Sequence, residues 1–319
     1  MPMVCRRLNE SEPQICLSPV SISKFVEGFR YVGHLTVHSV YDHSINILLK
    51  DGSLLSITNH KFGCGPFSIS IDLKDGFSFR EIGLSSNCPV SFSDDSMQIG
   101  DRVRISGLSS AKLFYPSPTI YRQKFNEDRV SDNLSLFVRL IMNNRYTDKG
   151  LGQLVSLLTN QVTSADINRW TKFALPNVLS MLSAIDSMNF NKSVSSATSL
   201  VGLGPGSTPS GDDFLAGFMI GALSTPMQDL SKRKHLENVF NLVVQSAKGA
   251  TTILGYEYMR YASLGMGSEF VIRTVESLIN GAKFEVEKSG SKLLELGSSS
   301  GSDIAAGVVI GIMSTLDSR

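Results

Sequence analysis

A glycine-rich segment that runs into two consecutive aspartates is the part of the sequence best suited to chemistry. Residues 202–217 read GLGPGSTPSGDDFLAG, with the acids at Asp212 and Asp213. A glycine-rich loop that ends at a helix N-terminus exposes free backbone N–H groups, which suit a phosphate or a carboxylate. Asp212 would repel such an anion, so a ligand that carries N–H donors as well as an anionic end fits the segment better. A purely structural turn is the alternative, and the residues leave both open.

A degenerate copy of this segment lies near the C-terminus. Residues 296–311 read LGSSSGSDIAAGVVIG, and six of their positions match the first segment at a constant offset of 90 residues. This pattern indicates an internal duplication. Asp212 is not part of it, because its counterpart is Ser302. The matching pairs are Ser210 and Ser300, Gly211 and Gly301, Asp213 and Asp303, Ala216 and Ala306, Gly217 and Gly307, and Gly221 and Gly311.

Helix capping and helix packing account for most of the repeated residues. In each copy the serine and the aspartate three residues later have the spacing of a capping box, which predicts Ser210 and Ser300 at or within one residue of a helix N-cap. Glycines one turn apart, such as Gly217 and Gly221, let another backbone approach a helix closely. Asp212 remains unexplained. We expect it on the surface of the first helical turn, where its replacement by serine would leave folding nearly intact and weaken ligand binding at least ~10-fold, about 1.4 kcal/mol.

Standard catalytic motifs fit this segment poorly. Gly206 and Gly211 have the spacing of a P-loop, but Asp212 stands where the lysine is required, which disfavours a kinase-like nucleotide enzyme. Pro209 occupies the position of the last glycine in a dinucleotide-binding fingerprint. Residues 297–301 satisfy the GxSxG string of a nucleophile elbow, yet no histidine follows them and the surrounding pattern is helical.

The histidines do not indicate a metal centre. His38, Asp42 and His43 are close in sequence, but in a strand His38 and Asp42 share a face while His43 points to the other. His60 lies in a loop that could reach a site from the β-rich part of the chain. We therefore predict no metal site and no cofactor, and the sequence leaves open whether a Mg²⁺ ion bridges Asp212 and a ligand.

The first part of the chain has the pattern of β-strands. Short runs with alternating side chains occupy residues 33–108, and Asp-Gly turns at Asp51 and Asp75 predict hairpins between them. We interpret residues 1–120 as a small antiparallel β barrel or sandwich-like domain. The predicted strand runs are 35–40, 44–49, 53–58, 67–73 and 102–106.

The second part of the chain, residues 121–319, has helical spacing to its end. Apolar residues recur with a helical period behind the capping candidates Ser131 and Asp132. The predicted fold class is therefore α+β, with a β domain followed by an all-α domain that contains the glycine-rich loop 202–211 and its second copy at 297–301. Further helices are predicted over 151–158, 166–185, 230–247, 251–263 and 269–280.

Composition narrows the function further. The chain has 319 residues, and 30 Lys and Arg against 29 Asp and Glu give a net charge of only +1, which argues against a nucleic-acid partner. Apolar runs at 214–223 and 305–313 are well short of the ~20 residues that cross a membrane. Four cysteines without a CxxC pair predict free thiols in a reducing cytoplasm. The expected partner is a small anionic substrate.

The glycine-rich segment resembles the AllH-like family over residues 202–217. The resemblance extends over most of the chain, through residues 38–40, the pair Thr251 and Thr252, and the second copy at 300–303. Ser207 stands where the family usually has an apolar residue, and Ser302 stands where an aromatic residue is common. These departures bear on ligand specificity more than on the fold.

The resemblance implies a role in ureide catabolism, because AllH-like proteins act with an FdrA-like and a third subunit as an oxamate carbamoyltransferase. That reaction links oxalurate and phosphate to oxamate and carbamoyl phosphate. A non-catalytic ligand-binding or scaffolding protein of the same assembly is the alternative. The resemblance carries over no catalytic residues by name.

Carbamoyl transfer needs reactant orientation and stabilisation of a tetrahedral oxyanion, which backbone N–H groups can supply. We assign Asp212 as the catalytic residue that orients a substrate amide. The loop has no Lys or Arg, so a cation must come from Lys248, Arg260 or a partner subunit. The predicted binding residues are Gly204, Gly206 and Gly211 for close backbone approach, Thr208 and Ser210 for hydroxyl contacts, and Ser300, Thr251 and Thr252, of which the two threonines are helix caps first and ligand contacts second.

Overall fold

The chain divides into two compact units, Met1–Pro116 and Ser117–Arg319. The computed structural model describes residues 4–5, 14–29, 33, 35–74, 76–120, 125–159 and 167–316. Asp75 of the second predicted Asp-Gly turn and Asp166, the predicted start of a helix, lie outside the described residues. Each unit is described by itself below.

The first unit contains one mixed sheet that is curled into a half-barrel. The strands are β1 (Val4–Cys5), β2 (Gln14–Leu17), β3 (Pro19–Ser23), β4 (Leu35–Val40), β5 (Ser44–Leu48), β6 (Leu54–Asn59), β7 (Ser68–Ile71), β8 (Pro89–Ser93), β9 (Ser96–Ile99), β10 (Val103–Ser106) and β11 (Lys112–Phe114). Their order in the sheet is β1-β2-β10-β9-β8-β4-β5-β6-β7-β3-β11, so β1 and β11 form the two edges among the described residues.

Local sequence explains the pairing of β5 with β6. Gly52 adopts a positive φ of 85° after Asp51, and this turn places Ile45 opposite Ile57 in an antiparallel ladder. Buried and exposed side chains alternate along β10 as predicted, since Val103 is buried and Arg104 is exposed. Such inward-facing side chains form the core of the sheet.

The prediction of a β-rich part followed by a helical part is confirmed, but the sheet is not purely antiparallel. Among the strands that the structure describes, three pairs are parallel: β2 with β10, β3 with β11, and β6 with β7. Side chains alternate in the same way in parallel and antiparallel strands, so the sequence pattern contained no information about strand direction.

The helices agree with the predicted stretches at several bounds. Residues 230–247 and 269–280 are helical as predicted, whereas the helix predicted over 151–158 begins only at Leu154. The helices are α1 (Val26–Phe29) in the first unit, and α2 (Glu127–Met142), α3 (Leu154–Leu158), α4 (Arg169–Asp186), α5 (Phe190–Thr198), α6 (Ser210–Ser224), α7 (Leu230–Ala247), α8 (Ile253–Ala262), α9 (Glu269–Asn280), α10 (Lys283–Leu294) and α11 (Ser300–Met313) in the second. Among the described residues, the short helix α1 and the helices α5 and α10 were not predicted.

The two repeat copies form α6 and α11, which pack directly on each other. A Cβ atom added at Gly217 would lie 2.1 Å from the Ile304 carbonyl oxygen, and one added at Gly307 would lie 2.1 Å from the Phe214 oxygen. The contacts advance in the same direction along both helices, so α6 and α11 are parallel and their N-termini lie at the same end. Every residue of α6 is buried, which makes this pair the centre of the helical unit.

Candidate functional site

The N-termini of α6 and α11 begin at the two serines of the repeat. Ser210 and Ser300 are the first helical residues, one position after Pro209 and Ser299, which confirms their predicted placement within one residue of the N-cap. The capping-box interpretation is wrong, because neither N-cap residue accepts a side-chain hydrogen bond from the helix. Each helix starts one residue earlier than a capping box would require, so the serine lies inside the first turn and its hydroxyl is available for other partners.

The serine of each copy forms a hydrogen bond with the aspartate of the other copy. The Ser300 hydroxyl hydrogen-bonds to Asp213, and the Ser210 hydroxyl favours the charged form of Asp303. Thr208 Oγ1, in the first loop, lies 3.1 Å from Asp213 Oδ2 as a donor and 3.3 Å from Ser300 Oγ. The repeat therefore builds a cluster of two carboxyl groups and three hydroxyl groups between the two helix starts.

Asp303 is completely buried beneath the segment that precedes α3. The Leu151 N–H donates to Asp303 Oδ1 at 2.5 Å, and a Cβ atom at Gly150 would collide with both carboxylate oxygens. No group of the described residues donates a hydrogen bond of ordinary geometry to Asp303 Oδ2. Burial raises the pKa of Asp303 to about 6, against hydrogen bonds that include Ser210 and Leu151 and favour the anion.

Asp213 faces Asp303 from the other helix and is only 5% exposed. Burial, followed by the charge of Asp303, raises the pKa of Asp213 well above its usual value, while the Ser300 and Thr208 hydroxyls oppose this shift. Two carboxyl groups in one buried space disfavour each other's ionised form. The pair therefore retains a proton at a higher pH than either acid would in water.

Asp212 is 1% exposed, so the expectation of a surface acid is wrong. Its Oδ1 accepts the Gly202 N–H at 2.8 Å, and its Oδ2 accepts the Thr251 hydroxyl. A Cβ atom at Gly255 would lie 2.3 Å from Asp212 Oδ2, so α8 packs directly on the carboxylate. Burial raises the pKa of Asp212, and the hydrogen bonds from Gly202 and Thr251 oppose the rise.

The glycine-rich loop between α5 and α6 turns through three glycines with positive φ. Gly202, Gly204 and Gly206 have φ of 71°, 108° and 107°, a region that side chains other than hydrogen rarely adopt. Residues 205–207 form an exposed tip. Among the described residues, the N–H groups of Gly204, Gly206 and Ser207 donate no hydrogen bond within the protein. These are the free donors that an anion requires.

The start of α8 holds this loop from the other side. Thr252 caps α8 by accepting from the Gly255 N–H at 3.0 Å, as predicted for a helix-start hydroxyl, and it donates to the Ser207 carbonyl oxygen at 2.6 Å. Thr251 is not a helix cap, contrary to the prediction, and its hydroxyl donates to Asp212 instead. The structure therefore brings both threonines to the loop, through protein contacts.

The remaining predicted site residues differ in accessibility. Gly211 is buried, and a Cβ atom there would lie 1.9 Å from the Leu200 carbonyl oxygen, so the backbone that approaches Gly211 is the protein's own. Ser210 is buried as well, whereas Thr208 and Ser300 are half-buried. Gly206 is exposed at the tip of the loop.

Of the two predicted sources of a cation, Arg260 is committed elsewhere. Its guanidinium forms two hydrogen bonds to the buried carboxylate of Glu257, at 3.1 and 2.6 Å. Lys248 is exposed at the end of α7. Within the described parts of the chain, no group of three or more His, Cys, Asp or Glu side chains is placed to hold a metal ion.

Sequence reasoning missed the contribution of residues 150–152 to the cluster and the burial of all three aspartates. The offset match of Asp303 with Asp213 is the signal for the acid pair, but it indicates proximity only once the two helices are known to be parallel. Nothing in the sequence near Gly150 pointed to Asp303.

No helix in the described regions is long and apolar enough to cross a membrane.

Sequence models of two domains match the chain, one on each unit. The model of the oxamate carbamoyltransferase subunit AllH matches residues 200–312, which contain both repeat copies and both loops. The model of the AllH family N-terminal domain matches residues 16–113, which contain the sheet. No match was found among the curated proteins or among the solved structures.

Proposed function

Because the chain belongs to the AllH family, we propose that it is the subunit of a carbamoyltransferase that binds an anionic substrate in its first glycine-rich loop. The family description names oxamate, and we propose oxalurate, phosphate and carbamoyl phosphate as the other reactants of the transfer. All of them carry carboxylate or phosphoryl oxygens, and all except phosphate also carry amide N–H groups. The loop offers N–H donors at its tip and acids behind it.

The exposed loop at the paired helix N-termini is the observation that carries this proposal. The N–H groups of Gly204, Gly206 and Ser207 have no protein acceptor among the described residues. Because α6 and α11 are parallel, the positive ends of two helix dipoles lie side by side behind them. An anion at the loop tip would be stabilised by both.

We propose that Asp212 acts in this site chiefly by holding the loop in shape. Its carboxylate joins the first turn of α6 to the Gly202 N–H and the Thr251 hydroxyl. Each carboxylate oxygen has two lone pairs and accepts one of these donors, so it retains capacity for a substrate amide N–H. The catalytic assignment of Asp212 remains a prediction.

A cation that offsets a phosphoryl group must come from outside the loop. Lys248 is the exposed candidate within the chain, because Ala250, two residues later, contacts Gly202 through its carbonyl oxygen. A partner subunit is the other source. We propose that an FdrA-like and a third subunit complete the enzyme, in keeping with the description of the family as one subunit of a larger transferase.

The second candidate function is a non-catalytic ligand-binding subunit. The observation that favours it is that Asp212 and Asp213 are buried and already bonded to the protein. Both functions require the loop to bind an anion. They differ in whether a change in the loop alters the rate of transfer by the assembled enzyme.

A matched pair of substitutions tests the proposal. Ser207→Asp places a negative charge at the exposed tip of the first loop, and Ser298→Asp places the same charge at an exposed position of the second loop. We expect calorimetric titration with phosphate, oxamate and carbamoyl phosphate to show affinity at least ~10-fold weaker for Ser207→Asp and unchanged for Ser298→Asp, with equal thermal stability. Equal affinity in both variants and wild type would contradict a ligand site in the first loop.

The same variants separate the two candidate functions. In the assembled enzyme, the transfer rate of Ser207→Asp at saturating substrate should equal that of wild type only if the loop binds the substrate without contacting the transition state. A rate that stays low at saturation supports a catalytic subunit. An unchanged rate, despite weaker binding, supports the non-catalytic candidate.

A further inference from the structure

We propose that Asp213 and Asp303 hold a single proton between them at neutral pH and exchange it with the ligand of the first loop through the Thr208 hydroxyl. The first half of this proposal concerns the chain alone. The second half rests on the proposed function, because it requires a ligand in the loop.

The two carboxyl groups lie in a space that cannot accommodate two negative charges. Asp213 and Asp303 are 5% and 0% exposed, and they face each other from parallel helices. In the described structure no Lys, Arg or His forms an ion pair with either acid or with neighbouring Asp212. Lys149, which precedes the segment over Asp303, is exposed and stacks on a tyrosine ring. Burial of an unpaired charge is so costly that such a pair retains a proton instead.

The unsatisfied oxygen of Asp303 identifies where a proton fits. Asp303 Oδ2 is buried and accepts no hydrogen bond of ordinary geometry from the described residues, whereas Oδ1 accepts from the Leu151 N–H. The Cα atom of Gly150 lies against both oxygens, so a larger cation has no space on that side. A proton on this pair of acids would remove the like-charge repulsion between them. Burial raises the pKa of both acids, and the charge of Asp303 adds to the rise for Asp213.

A hydroxyl chain leads from this pair to the loop. Thr208 Oγ1 donates to Asp213 Oδ2 at 3.1 Å and lies 3.3 Å from Ser300 Oγ. Thr208 is half-buried and directly follows the exposed tip of the loop. A hydroxyl both donates and accepts, so Thr208 can pass a proton between the buried pair and a molecule at the tip.

Carbamoyl transfer to phosphate needs such an exchange. A phosphate oxygen bonds to the carbamoyl carbon while the bond from that carbon to the amide nitrogen breaks. The electron pair of the broken bond stays on nitrogen, which takes a proton from the pair through Thr208. The hydroxyl proton of the phosphate returns to the pair by the same path. The pair ends with the one proton that it held at the start, so the step is balanced in both directions.

Infrared spectroscopy tests the shared proton without any ligand. Near pH 7, wild type should show the carbonyl band of one protonated carboxyl group per chain, and the variant Asp213→Asn/Asp303→Asn should lack it. Asp303→Asn removes the charge that raises the pKa of Asp213, so the band should titrate at least one pH unit lower. Asp186→Asn, at an exposed acid that pairs with Lys232, is the control and should change nothing. A wild type without a protonated carboxyl near pH 7, or an unshifted titration in Asp303→Asn, would overturn the pair.

The relay is tested by changing Thr208 alone. In the assembled enzyme Thr208→Val should lower kcat at least ~10-fold while phosphate affinity in calorimetry stays within about two-fold, and Thr208→Ser should restore kcat. In the dependence of kcat on pH, wild type should show a limb that reports titration of the Asp213–Asp303 pair. Thr208→Val should lack this limb, because the pair no longer exchanges protons with the ligand. An equal loss of affinity and rate would make Thr208 a ligand contact and overturn the relay. If wild type neither binds phosphate nor transfers, the proposed function fails while the infrared result still decides the shared proton.

Discussion

The two repeat copies have the same packing and different surroundings. In both, a glycine in the first helical turn packs on the preceding helical segment, since Cβ atoms at Gly211 and Gly301 would lie 1.9 and 2.2 Å from the Leu200 and Leu293 carbonyl oxygens. Residues 199–209 lead into α6, whereas only residues 295–299 lead into α11. The two copies therefore share the same helix packing and differ in the length of the loop that precedes the helix.

The two copies also differ at position 212, where the first has an aspartate and the second has Ser302. Asp212 in the first copy reaches out of α6 to the Gly202 N–H and the Thr251 hydroxyl. Ser302, its counterpart, donates back to the Ser299 carbonyl oxygen at 2.8 Å and ties together only its own turn. The acid is found in the copy with the long loop. Its contacts indicate that Asp212 stabilises the conformation of the loop rather than that of the helix.

The largest expected effect tests the equivalence of the two copies in packing. Gly217→Ala and Gly307→Ala each place a Cβ atom 2.1 Å from a backbone oxygen of the other helix, and two buried helices must separate to accept it. We expect each variant to lose about 3 kcal/mol or more of unfolding free energy, measured by urea denaturation. Gly28→Ala, whose Cβ atom meets nothing within 4 Å, should be nearly neutral. A large loss in one copy only would break the equivalence.

A smaller effect is expected from removing the difference between the copies. Asp212→Ser copies the second repeat, but it leaves the half-buried Gly202 N–H and Thr251 hydroxyl without their acceptor. We expect a loss of about 2 kcal/mol in thermal or urea unfolding, more than a surface acid would give. Asp186→Ser, at an exposed acid, is the control and should cost much less. If both substitutions cost the same, Asp212 does not hold the loop.

The smallest stability effect depends on pH and concerns the second copy. Asparagine at position 303 can accept from the Leu151 N–H and places its NH₂ group where Asp303 Oδ2 lacks a donor. The pKa of Asp303 is raised from 3.8 to about 6, so wild type loses stability as the pH rises between these values, and Asp303→Asn does not. Above pH 6 the variant should be more stable than wild type by about 1 to 2 kcal/mol, because wild type must ionise a buried acid there and the variant carries a neutral amide.

The control for this prediction is the comparison at low pH. Near pH 3.5 both side chains are neutral, so wild type and Asp303→Asn should unfold with nearly equal free energies. A difference between them that does not change with pH would show that Asp303 ionises as freely in the folded chain as in the unfolded one.

Much of the fold could be predicted from local patterns. Asp51 and Gly52 specify a turn by their backbone preferences, and the bounds of α7 and α9 follow from periodicity and flanking polar residues. The parallel strand pairs could not be predicted, because strand direction depends on the path of the connections. Helices α5 and α10 were missed because few of their residues are apolar: α5 is short and rich in serine, and α10 is rich in charged residues.

The site could be predicted only in part. The repeat located both helix starts, since a serine, a glycine and an acid recur at fixed spacing. It could not show that α6 and α11 are parallel, and that arrangement is what makes Ser300 a partner of Asp213. Burial of Asp212 depends on Gly255, which lies on another helix and has no sequence signal of its own.

The central claim is that only the first copy presents a loop for an anionic ligand, and the matched glycines of the two loops test it most directly. Gly204 packs on Ser210 in the first copy as Gly297 packs on Ser300 in the second. During titration with phosphate, amide NMR signals of Gly204 and Gly206 should shift progressively while that of Gly297 stays in place. Equal shifts at Gly204 and Gly297, or no shift at Gly204 and Gly206, would contradict the account.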